Sequence, residues 1–462
     1  MTPQAHTNPI TQPRHGRTIV VGLGRTGLSC ARYLQSRGVD FAVTDSRATP
    51  PESAALQQLS PATEVVFGGF DERLLDGASE IVVSPGVSLR EPFLLAAAAR
   101  GVPIIGDIEL FAREANAPIA GVTGTNGKST VTTLVAHMAA AAGVRVLAGG
   151  NLGRPALELL AEPTPELYVL ELSSFQLDTT HSLHCTAAAV LNVTPDHMDR
   201  YTTLHEYAAS KARIYSRCDA AIVNLDDVAV RTMALDSPRV LGFSLVKDPS
   251  AQYYATENLG AKRNGHAHDV ALMHLEERIV LMSELKIAGL HNAANALAAL
   301  AMADALKLPR DACVWALREF CGLPHRSQWI ADVAGVRYVD DSKGTNVGAT
   351  LAAVAGMPGS LVLIAGGQGK GQDFAQLADG FRDKVRHAVL IGQDAQQIAE
   401  ALQGISSVEF ASDMNEAVRK AAQAAKSGET VLLSPACASL DMFRDYAHRG
   451  DAFAAAVKGL AK

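Results

Sequence analysis

A chain of 462 residues is long enough for roughly two to four domains, each with its own core. Its residues are 48% hydrophobic and 19% charged, which is ordinary for a globular protein. The formal net charge is −7, from 41 basic and 48 acidic residues, and there is no long basic run. These values do not suggest a surface for nucleic acid, and anionic substrates would have to be bound by local lysines, arginines and helix N-termini.

The cysteines and the apolar segments indicate a cytoplasmic protein. The six cysteines are far apart and form no C-x-x-C pair, which argues against a disulfide framework or a zinc site. No apolar run approaches about 20 residues, so we expect no membrane span. Residues 1–17 are polar and lack the apolar core of a signal peptide, and we expect them to be a disordered tail.

The first block of the chain alternates strand and helix signals. We predict strands at 18–21, 41–44, 64–67 and 81–83 and a helix at 28–37. The turn Gly22-x-Gly24-x-x-Gly27, with Asp45 after the second strand, matches the dinucleotide-binding fingerprint of a Rossmann-like unit. A structural tight turn and a nucleotide other than NAD remain open alternatives for it.

The second block contains the most informative stretch, in which a predicted strand enters a glycine-rich turn that opens a helix. Gly124, Gly127 and Lys128 form a variant of the phosphate-loop pattern. Backbone N–H groups at such a turn point at one spot, and the helix dipole favours an anion there. Lys128 can reach the terminal phosphates of a nucleotide, and the hydroxyl of Ser129 or Thr130 can hold Mg²⁺.

Polar residues follow the other strands of this block. The strands are predicted at 118–122, 144–147, 168–170, 187–191 and 220–223. Glu171 is a candidate Mg²⁺ ligand, because the carboxyl ends of parallel strands gather at one edge of the sheet. The alternative is a surface glutamate before a helix that Ser173 caps. His197 lies near the same edge, either as a metal ligand or as a hydrogen-bonded structural residue.

The block closes with a β-rich, irregular stretch at 240–287 and two predicted helices at 291–305 and 309–320. Pro309 is expected at the first position of the second helix, where its missing N–H costs nothing. Asn292 either caps the first helix or contacts a nucleotide base.

The third block alternates again after residue 322. Strands are predicted at 336–339, 361–364, 388–391 and 431–433, and helices at 374–381, 395–402 and 445–457. The loop 366–370 is either another glycine-rich anion site or a plain turn, and 341–346 is a polar cluster at a strand end. We therefore predict an α/β fold of three domains. They are a Rossmann-like domain at 18–106, a central P-loop-type ATPase domain with a parallel sheet at 107–322, and a C-terminal Rossmann-like domain at 323–462.

Several of these segments together resemble the Mur ligase family, the ATP-dependent amide-forming enzymes of peptidoglycan precursor synthesis. The resemblance rests on the segments 124–129, 171–177, 291–295 and 324–326, and it spans nearly the whole chain after residue 17. The segments Asp196-His197-Met198-Asp199-Arg200 and Ser434-Pro435-Ala436-Cys437-Ala438-Ser439-Leu440-Asp441 are similar to those of the branch that adds D-glutamate to UDP-N-acetylmuramoyl-L-alanine.

The resemblance implies ATP and Mg²⁺ as cofactors and a set of residues for each substrate. UDP-N-acetylmuramoyl-L-alanine would contact Thr26, Asp45, Ser46, Arg47, Ser84, Pro85, Gly86, Asn151 and Ser173. ATP would contact Gly124, Thr125, Asn126, Gly127, Lys128, Ser129, Thr130, Asn292, Arg326 and Asp341. D-Glutamate would contact Lys343, Thr345, Lys370, Ser439 and Tyr446. Catalysis would depend on Lys128, Glu171, His197 and Lys211, and the metal would be held by Ser129, Glu171, His197 and Lys211.

Lys211 matches the lysine that is carbamylated in this family. An ammonium beside Mg²⁺ would be repelled, whereas reaction with CO₂ gives an anionic oxygen ligand. Two positions depart from the family pattern. Gln368 stands where relatives often have Asp, and Tyr446 stands where Phe is familiar.

Three other functions are compatible with parts of the sequence. The first is another ligase of the family, which adds a different amino acid or a glutamate to folate. The second is an NAD-dependent oxidoreductase built on the first glycine-rich turn, and the third is a nucleotide-binding regulatory module without chemistry. For the ligase we expect a monomer that binds neither nucleic acid nor a membrane.

Overall fold

The computed structural model describes residues 16–197, 200–234, 236–258, 269–287 and 289–460. The predicted polar tail therefore lies almost entirely outside the described residues. The chain forms two compact units. The first holds the residues up to Lys128, with Val144–Ala221 and Asp227–Val240. The second holds Ser129–Gly143, Ile222–Asp226 and the residues from Leu241 onward.

The strands and helices are numbered in chain order. The strands are β1 (Arg17–Val21), β2 (Phe41–Asp45), β3 (Glu64–Phe67), β4 (Ala78–Val83), β5 (Ile104–Ile105), β6 (Ile119–Thr123), β7 (Val146–Gly150), β8 (Leu167–Glu171), β9 (Ala187–Val190), β10 (Ala221–Asn224), β11 (Val240–Ser244), β12 (Ala251–Asn258), β13 (Asp269–His274), β14 (Glu277–Leu281), β15 (Gln328–Val333), β16 (Val336–Asp340), β17 (Leu361–Gly366), β18 (Val385–Ile391), β19 (Ser407–Phe410) and β20 (Thr430–Leu433). The helices are α1 (Arg25–Ser36), α2 (Ser53–Leu59), α3 (Pro92–Ala99), α4 (Asp107–Glu114), α5 (Lys128–Ala141), α6 (Ala156–Leu159), α7 (Ser174–Asp178), α8 (Leu204–Ala212), α9 (Val228–Arg231), α10 (Leu290–Ala305), α11 (Arg310–Glu319), α12 (Val347–Gly356), α13 (Gln376–Phe381), α14 (Ala395–Ala401), α15 (Met414–Ala424) and α16 (Tyr446–Leu460).

The first unit begins with a parallel sheet in the order β3-β2-β1-β4-β5. Ile19, Val20 and Val21 of β1 are fully buried, as expected for a parallel strand with both faces covered. β2 and β3 lie on one side of β1, and β4 and β5, which follow them in the chain, lie on the other side. The strand order therefore reverses between β1 and β4. In sheets of this type, ligands bind beyond the carboxyl ends of the strands at such a reversal.

Four more parallel strands of the first unit follow the order β9-β6-β8-β7. The register pairs Val122 of β6 with Glu171 of β8, and Gly150 of β7 also pairs with Glu171. The ends of these strands therefore lie side by side. As a result, the phosphate loop after β6, the Glu171 carboxyl group and Asn151 after β7 share one edge of the sheet.

The second unit contains a smaller, partly antiparallel group of strands. β11 and β12 are parallel, whereas β12 pairs with β13, and β13 with β14, in the antiparallel sense. The prediction of an irregular, β-rich stretch is confirmed over the described part of 240–287, but the parallel arrangement predicted for the central block does not extend to these strands. A short turn joins β13 to β14, and such turns connect antiparallel strands.

The second unit also contains a sheet in the order β15-β16-β20-β17-β18-β19, in which only β15 is antiparallel to its neighbour. One face of this sheet packs in a cluster that includes Leu363 and Phe381, and the other packs in a cluster that includes Ile364 and Phe453. Helices cover both faces, so the predicted α/β class is confirmed.

Two local predictions about helix ends are wrong. Pro309 is the N-cap of α11, which begins at Arg310, because its extended backbone (ψ 127°) precedes the first helical turn. Asn292 does not cap α10, since that helix begins at Leu290 and its N-cap is Gly289, with φ 92°. Among the described residues, no helix is both long and apolar enough to cross a membrane.

Candidate active site

The first unit contains a cavity of about 560 Å³ at the carboxyl ends of β1, β2 and β4. Its lining includes every residue predicted for the UDP substrate except Ser173. Those lining residues are Thr26, Asp45, Ser46, Arg47, Ser84, Pro85, Gly86 and Asn151. Two arginines, Arg25 and Arg47, give the cavity wall positive charge. Its position at the reversal of strand order and its charge both suit a nucleotide diphosphate.

Asp45 is already engaged by groups of its own unit. Its carboxylate accepts hydrogen bonds from Leu23 N at 2.7 Å and from Arg47 N and Nε at 2.9 and 2.8 Å. Burial acts to raise the pKa of Asp45, but the bonds from Arg47 and Leu23 outweigh it and lower the pKa to about 2. An acid used in this way has little capacity left to accept both hydroxyls of an NAD ribose, which disfavours the oxidoreductase alternative.

Glu171 is buried at the end of β8 and is not the surface glutamate of the alternative interpretation. Its Oε1 accepts a hydrogen bond from Asn151 Nδ2 at 2.6 Å. Its Oε2 is also buried and has no hydrogen-bond partner in the described part of the chain. A buried carboxylate oxygen without a partner costs free energy, so this atom is suited to a cation or a bound water.

Ser173 caps α7, as the alternative interpretation expects. Its Oγ accepts from Gln176 N at 3.2 Å, and Gln176 Oε1 accepts from Ser173 N at 3.1 Å, which makes a capping box. Gln176 also lines the cavity, beside Asn151. Ser173 itself does not line the cavity, but it contacts Gln176, which does.

The phosphate loop leaves β6 through Gly124, whose φ of 148° suits glycine. Two of its N–H groups are already used, because Thr125 N donates to Asn192 O at 2.9 Å and Asn126 N donates to Asn192 Oδ1 at 2.8 Å. The Lys128 ammonium turns back and donates to Gly124 O and Thr125 O at 2.9 and 2.8 Å. The first N–H groups of α5 have no acceptor within the helix, and such a helix end is suited to an anion.

Lys211, on the last turn of α8, reaches the same loop. Its Nζ donates to Gly124 O at 3.0 Å and lies 4.3 Å from the ring centre of Tyr207. The side chain is only 1% exposed. Burial, together with the charge of nearby Lys128, lowers the pKa of Lys211 to about 7. A large fraction of this amine is therefore neutral, and hence nucleophilic, near neutral pH.

His197 lies beside an aromatic cluster, with its side chain partly exposed. Its ring is 4.9 Å from that of Phe175 and 6.3 Å from that of Tyr207. Its φ is 55°, an uncommon backbone conformation for a residue other than glycine. Tyr207 also contacts Lys211. His197 and Lys211 therefore both lie near the ring of Tyr207.

The remaining ATP candidates lie in the second unit. Arg326 donates to Ser129 Oγ at 3.1 Å. Asp341 is buried and accepts from Ser327 N at 3.0 Å and from Ser434 Oγ at 2.8 Å. Burial raises the pKa of Asp341 to about 7, against the effect of the hydrogen bond from Ser434. Asn292 is buried in the first turn of α10, where it accepts from Asn295 Nδ2 at 3.4 Å.

The D-glutamate candidates are also in the second unit, on three loops and, for Tyr446, at the start of α16. The Lys343 ammonium lies 4.0 Å from the ring centre of Tyr446, and Thr345 N donates to Lys343 O at 2.8 Å. Gln368 and Ala438 exchange backbone hydrogen bonds of 2.9 Å, which joins the glycine-rich loop carrying exposed Lys370 to the loop carrying Ser439. Because Gln368 makes these bonds with its backbone, its departure from the family pattern leaves the connection between the loops intact.

The described residues contain no group of three or more His, Cys, Asp or Glu side chains that could hold a metal ion by themselves. The residues present nevertheless fit Mg²⁺ if phosphate oxygens and water complete its shell, as this ion prefers. The buried Oε2 of Glu171 can supply an oxygen ligand, whereas the unmodified Lys211 ammonium is not a ligand.

Comparisons with known proteins identify the family. Three family models match successive segments: the Mur ligase MurD-like N-terminal domain at 16–106, the Mur ligase middle domain at 122–303 and the Mur ligase glutamate ligase domain at 325–437. The chain belongs to the Mur ligase family. A Nitrosococcus oceani relative is 51% identical over 98% of both chains, and a Pseudomonas aeruginosa relative is 50% identical over 96% of this chain and 98% of its own. Both are named UDP-N-acetylmuramoylalanine–D-glutamate ligase.

Solved structures of other Mur ligases share the fold. The MurC UDP-N-acetylmuramate–alanine ligase of Thermotoga maritima has a TM-score of 0.57 at 18% identity, covering 96% of this chain and 100% of that one. A UDP-N-acetylmuramoyl-L-alanyl-D-glutamate–2,6-diaminopimelate ligase also has a TM-score of 0.57, at 20% identity, covering 92% and 93%. At these identities, the likeness shows the fold alone.

Three residues of this Mur ligase stand at the candidate sites although the sequence interpretation gave them no role. Gln176 lines the cavity, and its signal was the Ser-x-x-Gln spacing of a capping box. Arg200 donates to Pro85 O, Gly86 O and Val87 O, which fixes the turn at the cavity wall. Arg449 is fully buried behind the D-glutamate candidates, and nothing in its local sequence indicated that burial.

Cys437 is a buried free cysteine. Burial raises the pKa of its thiol to about 12. A thiol that stays protonated at neutral pH is a poor nucleophile.

Proposed function

We propose that this Mur ligase is an ATP-dependent amide ligase that adds D-glutamate to UDP-N-acetylmuramoyl-L-alanine in peptidoglycan precursor synthesis. The observation that carries the proposal is the identity of 50 to 51%, over almost the full chain, to relatives named for that reaction. Geometry supports it independently, since the cavity at β1 and β4 suits a nucleotide diphosphate and the loop after β6 suits ATP phosphates.

In the proposed reaction, the alanyl carboxylate attacks the γ-phosphorus of ATP and releases ADP, which gives an acyl phosphate. The neutral amine of D-glutamate then attacks the acyl carbon, phosphate leaves, and the amine proton passes to a base. Lys128 and the N-terminal N–H groups of α5 would bind the phosphates and stabilise the charge that develops on them. We keep His197 as the candidate base, because it lies beside the aromatic cluster at the same sheet edge.

Mg²⁺, when bound, would neutralise phosphate charge and act as a Lewis acid. In the first unit, Glu171 and Lys211 would hold it, with His197 as a further candidate. Lys211 would serve as a carbamate, formed when its neutral amine attacks CO₂ and loses a proton. The burial of Lys211 and its pKa of about 7 favour that reaction. In the second unit, Ser129 would be a metal ligand. Asn292, Arg326 and Asp341 would contact ATP.

The two other substrates are assigned to the sites that resemble those of the family. The UDP group would occupy the cavity lined by Asp45, Arg47 and Ser84, and Asn151 with Ser173 would face the muramoyl-alanine end. D-Glutamate carries two carboxylates, for which Lys343 and Lys370 would supply positive charge. Thr345, Ser439 and Tyr446 would complete that site.

The domain bounds 18–106, 107–322 and 323–462 are part of the same proposal, as are the cytoplasmic location and the monomeric state. The three family models lie within the proposed domains apart from short margins.

The experiment is an ADP-release assay with the purified full-length protein, ATP and Mg²⁺. We expect ADP only when UDP-N-acetylmuramoyl-L-alanine and D-glutamate are both present. A panel of other amino acids, and folate in place of the UDP substrate, tests the neighbouring ligases of the family. Release that is equally fast without either substrate, or with another amino acid in place of D-glutamate, would contradict the proposal.

A further inference from the structure

The first glycine-rich turn carries Arg25, which lies outside the residues that the family resemblance implies for the UDP substrate. Arg25 is the first residue of α1, it is exposed, and it lines the cavity of about 560 Å³. The turn before it is tightly folded, since Gly22 has φ 93° and a Cβ atom at Gly27 would collide with Gly22 O. The turn therefore holds the backbone of Arg25 in a fixed position beside the cavity.

The Arg25 guanidinium reaches the loop after β7. Its Nη2 donates to Gly153 O at 2.9 Å. That loop is closed at its base, because Gly150 N donates to Arg154 O at 2.8 Å, and Gly153 has φ 63°. Gly150, Asn151 and Gly153 also line the cavity. One hydrogen bond therefore joins two parts of the cavity lining that are 128 residues apart in the chain.

Arg25 also supplies the net positive charge of the lining. Among the described residues, the charged side chains of this lining are those of Arg25, Asp45 and Arg47. Arg47 donates to Asp45 Oδ1 at 2.8 Å and to Asp45 Oδ2 at 2.6 Å, and the pKa of Asp45 is about 2. These two side chains together therefore carry no net charge at neutral pH. In the described part of the chain, Arg25 has no carboxylate partner, because its hydrogen bond goes to a carbonyl oxygen.

The guanidinium of Arg25 has the capacity to bind a ligand. It has five N–H donors in a planar fork, and its bond to Gly153 uses one of them. Such a fork matches the oxygens of a phosphate group, which it can bind through two parallel hydrogen bonds. In a Rossmann-like domain, the diphosphate of a nucleotide lies at this glycine-rich turn. Arg25 can therefore contact a diphosphate there while it keeps its bond to Gly153.

We propose that Arg25 binds the diphosphate of UDP-N-acetylmuramoyl-L-alanine and connects it, through Gly153 O, to the loop after β7. The inference rests on the proposed function, which supplies the diphosphate. Arg25 neutralises phosphate charge, whereas the pair of Asp45 and Arg47 offers the substrate hydrogen bonds without net charge.

The test compares two ligands and two variants of the full-length protein. Arg25→Gln removes the charge and keeps an amide donor. Arg32→Gln is the matched control, because Arg32 is also on α1, lies 3.7 Å from Glu158 and is outside the cavity lining. Both variants change the net charge of the protein equally, so a contact with the ligand distinguishes them. Calorimetric titration with UDP and with uridine shows whether the phosphates are involved.

For Arg25→Gln we expect the Kd for UDP to rise at least about tenfold, as for the loss of a hydrogen bond between charged groups, and the Kd for uridine to change less than about twofold. In the ADP-release assay, KM for the UDP substrate should rise by a similar factor and KM for ATP should stay within about twofold. Arg32→Gln should bind both ligands as the wild type does. Added salt should weaken UDP binding less in Arg25→Gln than in the wild type.

An unchanged Kd for UDP in Arg25→Gln, or equal losses for UDP and uridine, would overturn the inference. An equal loss of UDP binding in Arg32→Gln would also overturn it, since that result would indicate a long-range effect of charge. If Arg25→Gln does not fold, as judged by its thermal transition, Arg25→Lys is titrated instead, and any result other than a larger loss for UDP than for uridine overturns the inference.

The outcome for the proposed function is separate, because UDP binding is measured without turnover. An inactive wild type that binds UDP more tightly than Arg25→Gln would contradict the proposed function and support the contact between Arg25 and a diphosphate. An active wild type with no difference in UDP binding would contradict this contact alone.

Discussion

At the scale of single residues, the carbonyl of Gly124 is the centre of the candidate catalytic site. It accepts hydrogen bonds from the ammonium groups of both Lys128 and Lys211. Two like charges on one acceptor destabilise each other, which contributes to the low pKa of Lys211. The proposed binding of phosphate by Lys128 and the proposed conversion of Lys211 to a carbamate would both relieve this repulsion. The arrangement is therefore suited to an anionic ligand at Lys128 and to a neutral or modified Lys211.

The modification of Lys211 can be tested directly. We expect protein equilibrated with ¹³C-bicarbonate at about pH 8 to show a carbamate carbon resonance, because most of this buried amine is neutral there. The Lys211→Arg variant should lack the resonance and lose at least about 100-fold in ADP release, since a guanidinium cannot replace an anionic ligand.

Exposed Lys426 supplies a matched control, and Lys426→Ala should keep both the resonance and the rate. A resonance that persists in the Lys211→Arg protein, or wild-type activity in that protein, would reject carbamylation at this residue.

The residues of the phosphate loop could be predicted from the sequence more readily than the contacts between distant segments. Gly124, Gly127 and Lys128 are close together in the chain, and local spacing alone identifies such a loop. The contacts of Lys211 with Gly124 and of Asp107 with Gln176 join distant segments. No local pattern encodes these contacts, because they depend on how α4, α7 and α8 pack.

At the scale of secondary structure, continuous apolar runs were good predictors and mixed segments were not. β3 coincides with its predicted bounds, and the other predicted strands of the parallel sheets differ mainly by one to three residues at their ends. β15 and β19 were not predicted, because each has a partly exposed face and lies at a sheet edge. Edge strands with polar residues carry little periodic signal.

The buried Arg449 of α16 connects two loops that carry D-glutamate candidates. Its guanidinium donates to Ser342 Oγ, Ser342 O and Cys437 O at 2.9, 2.8 and 3.0 Å. Burial lowers its pKa only to about 10, so it stays charged at neutral pH. A buried cation held by carbonyl and hydroxyl groups is costly, which indicates that it orders these loops.

We predict that Arg449→Lys raises KM for D-glutamate about tenfold and leaves KM for the UDP substrate within about twofold, because lysine cannot reach all three acceptors. Steady-state kinetics with each substrate varied in turn would measure this. The exposed substitution Arg382→Lys is the control. Equal increases for all substrates would indicate general destabilisation instead of an effect on this site.

A histidine–aspartate pair joins the turn before β15 to the end of β16. His325 Nδ1 lies 2.7 Å from Asp340 Oδ2, and this hydrogen bond raises the pKa of His325 above its ordinary value. A raised pKa in the folded state stabilises the fold fully below the unfolded value of about 6.5, and this stabilisation is lost as the pH rises through the folded value.

We therefore predict that the thermal midpoint of the wild type exceeds that of His325→Gln most below about pH 6.5, and that the difference shrinks toward pH 9. Differential scanning calorimetry of both proteins across this range is the measurement. A midpoint difference that does not change with pH would show that the pair is not stabilised by protonation of His325.

At the scale of the whole molecule, the segments matched by the family models differ from the compact units formed by packing. Three family models match successive segments, whereas the described residues pack as two compact units whose bounds interrupt the middle segment. Alternation of strands and helices follows chain order, while compact units follow spatial contact, so the two divisions need not coincide. The proposed domain bounds stay a prediction.

The overall charge of the protein does not favour anions, so local groups must bind them. The net charge is −7, yet the proposed substrates carry phosphates and carboxylates. Arg25 and Arg47 at the cavity, Lys128 at the phosphate loop, and Lys343 and Lys370 on the loops of the second unit supply positive charge where it is needed. A protein of this composition binds anions through individual basic side chains at each site and not through a long-range electrostatic field.

The central claim is that Lys128 and its loop bind the triphosphate that activates the alanyl carboxylate. The most direct measurement is ADP release by the wild type, Lys128→Ala and the control Lys426→Ala, each with both substrates and with either one omitted. We predict release by the wild type and the control only when both substrates are present, and a loss of at least about 100-fold in Lys128→Ala. Wild-type release by Lys128→Ala would contradict the account.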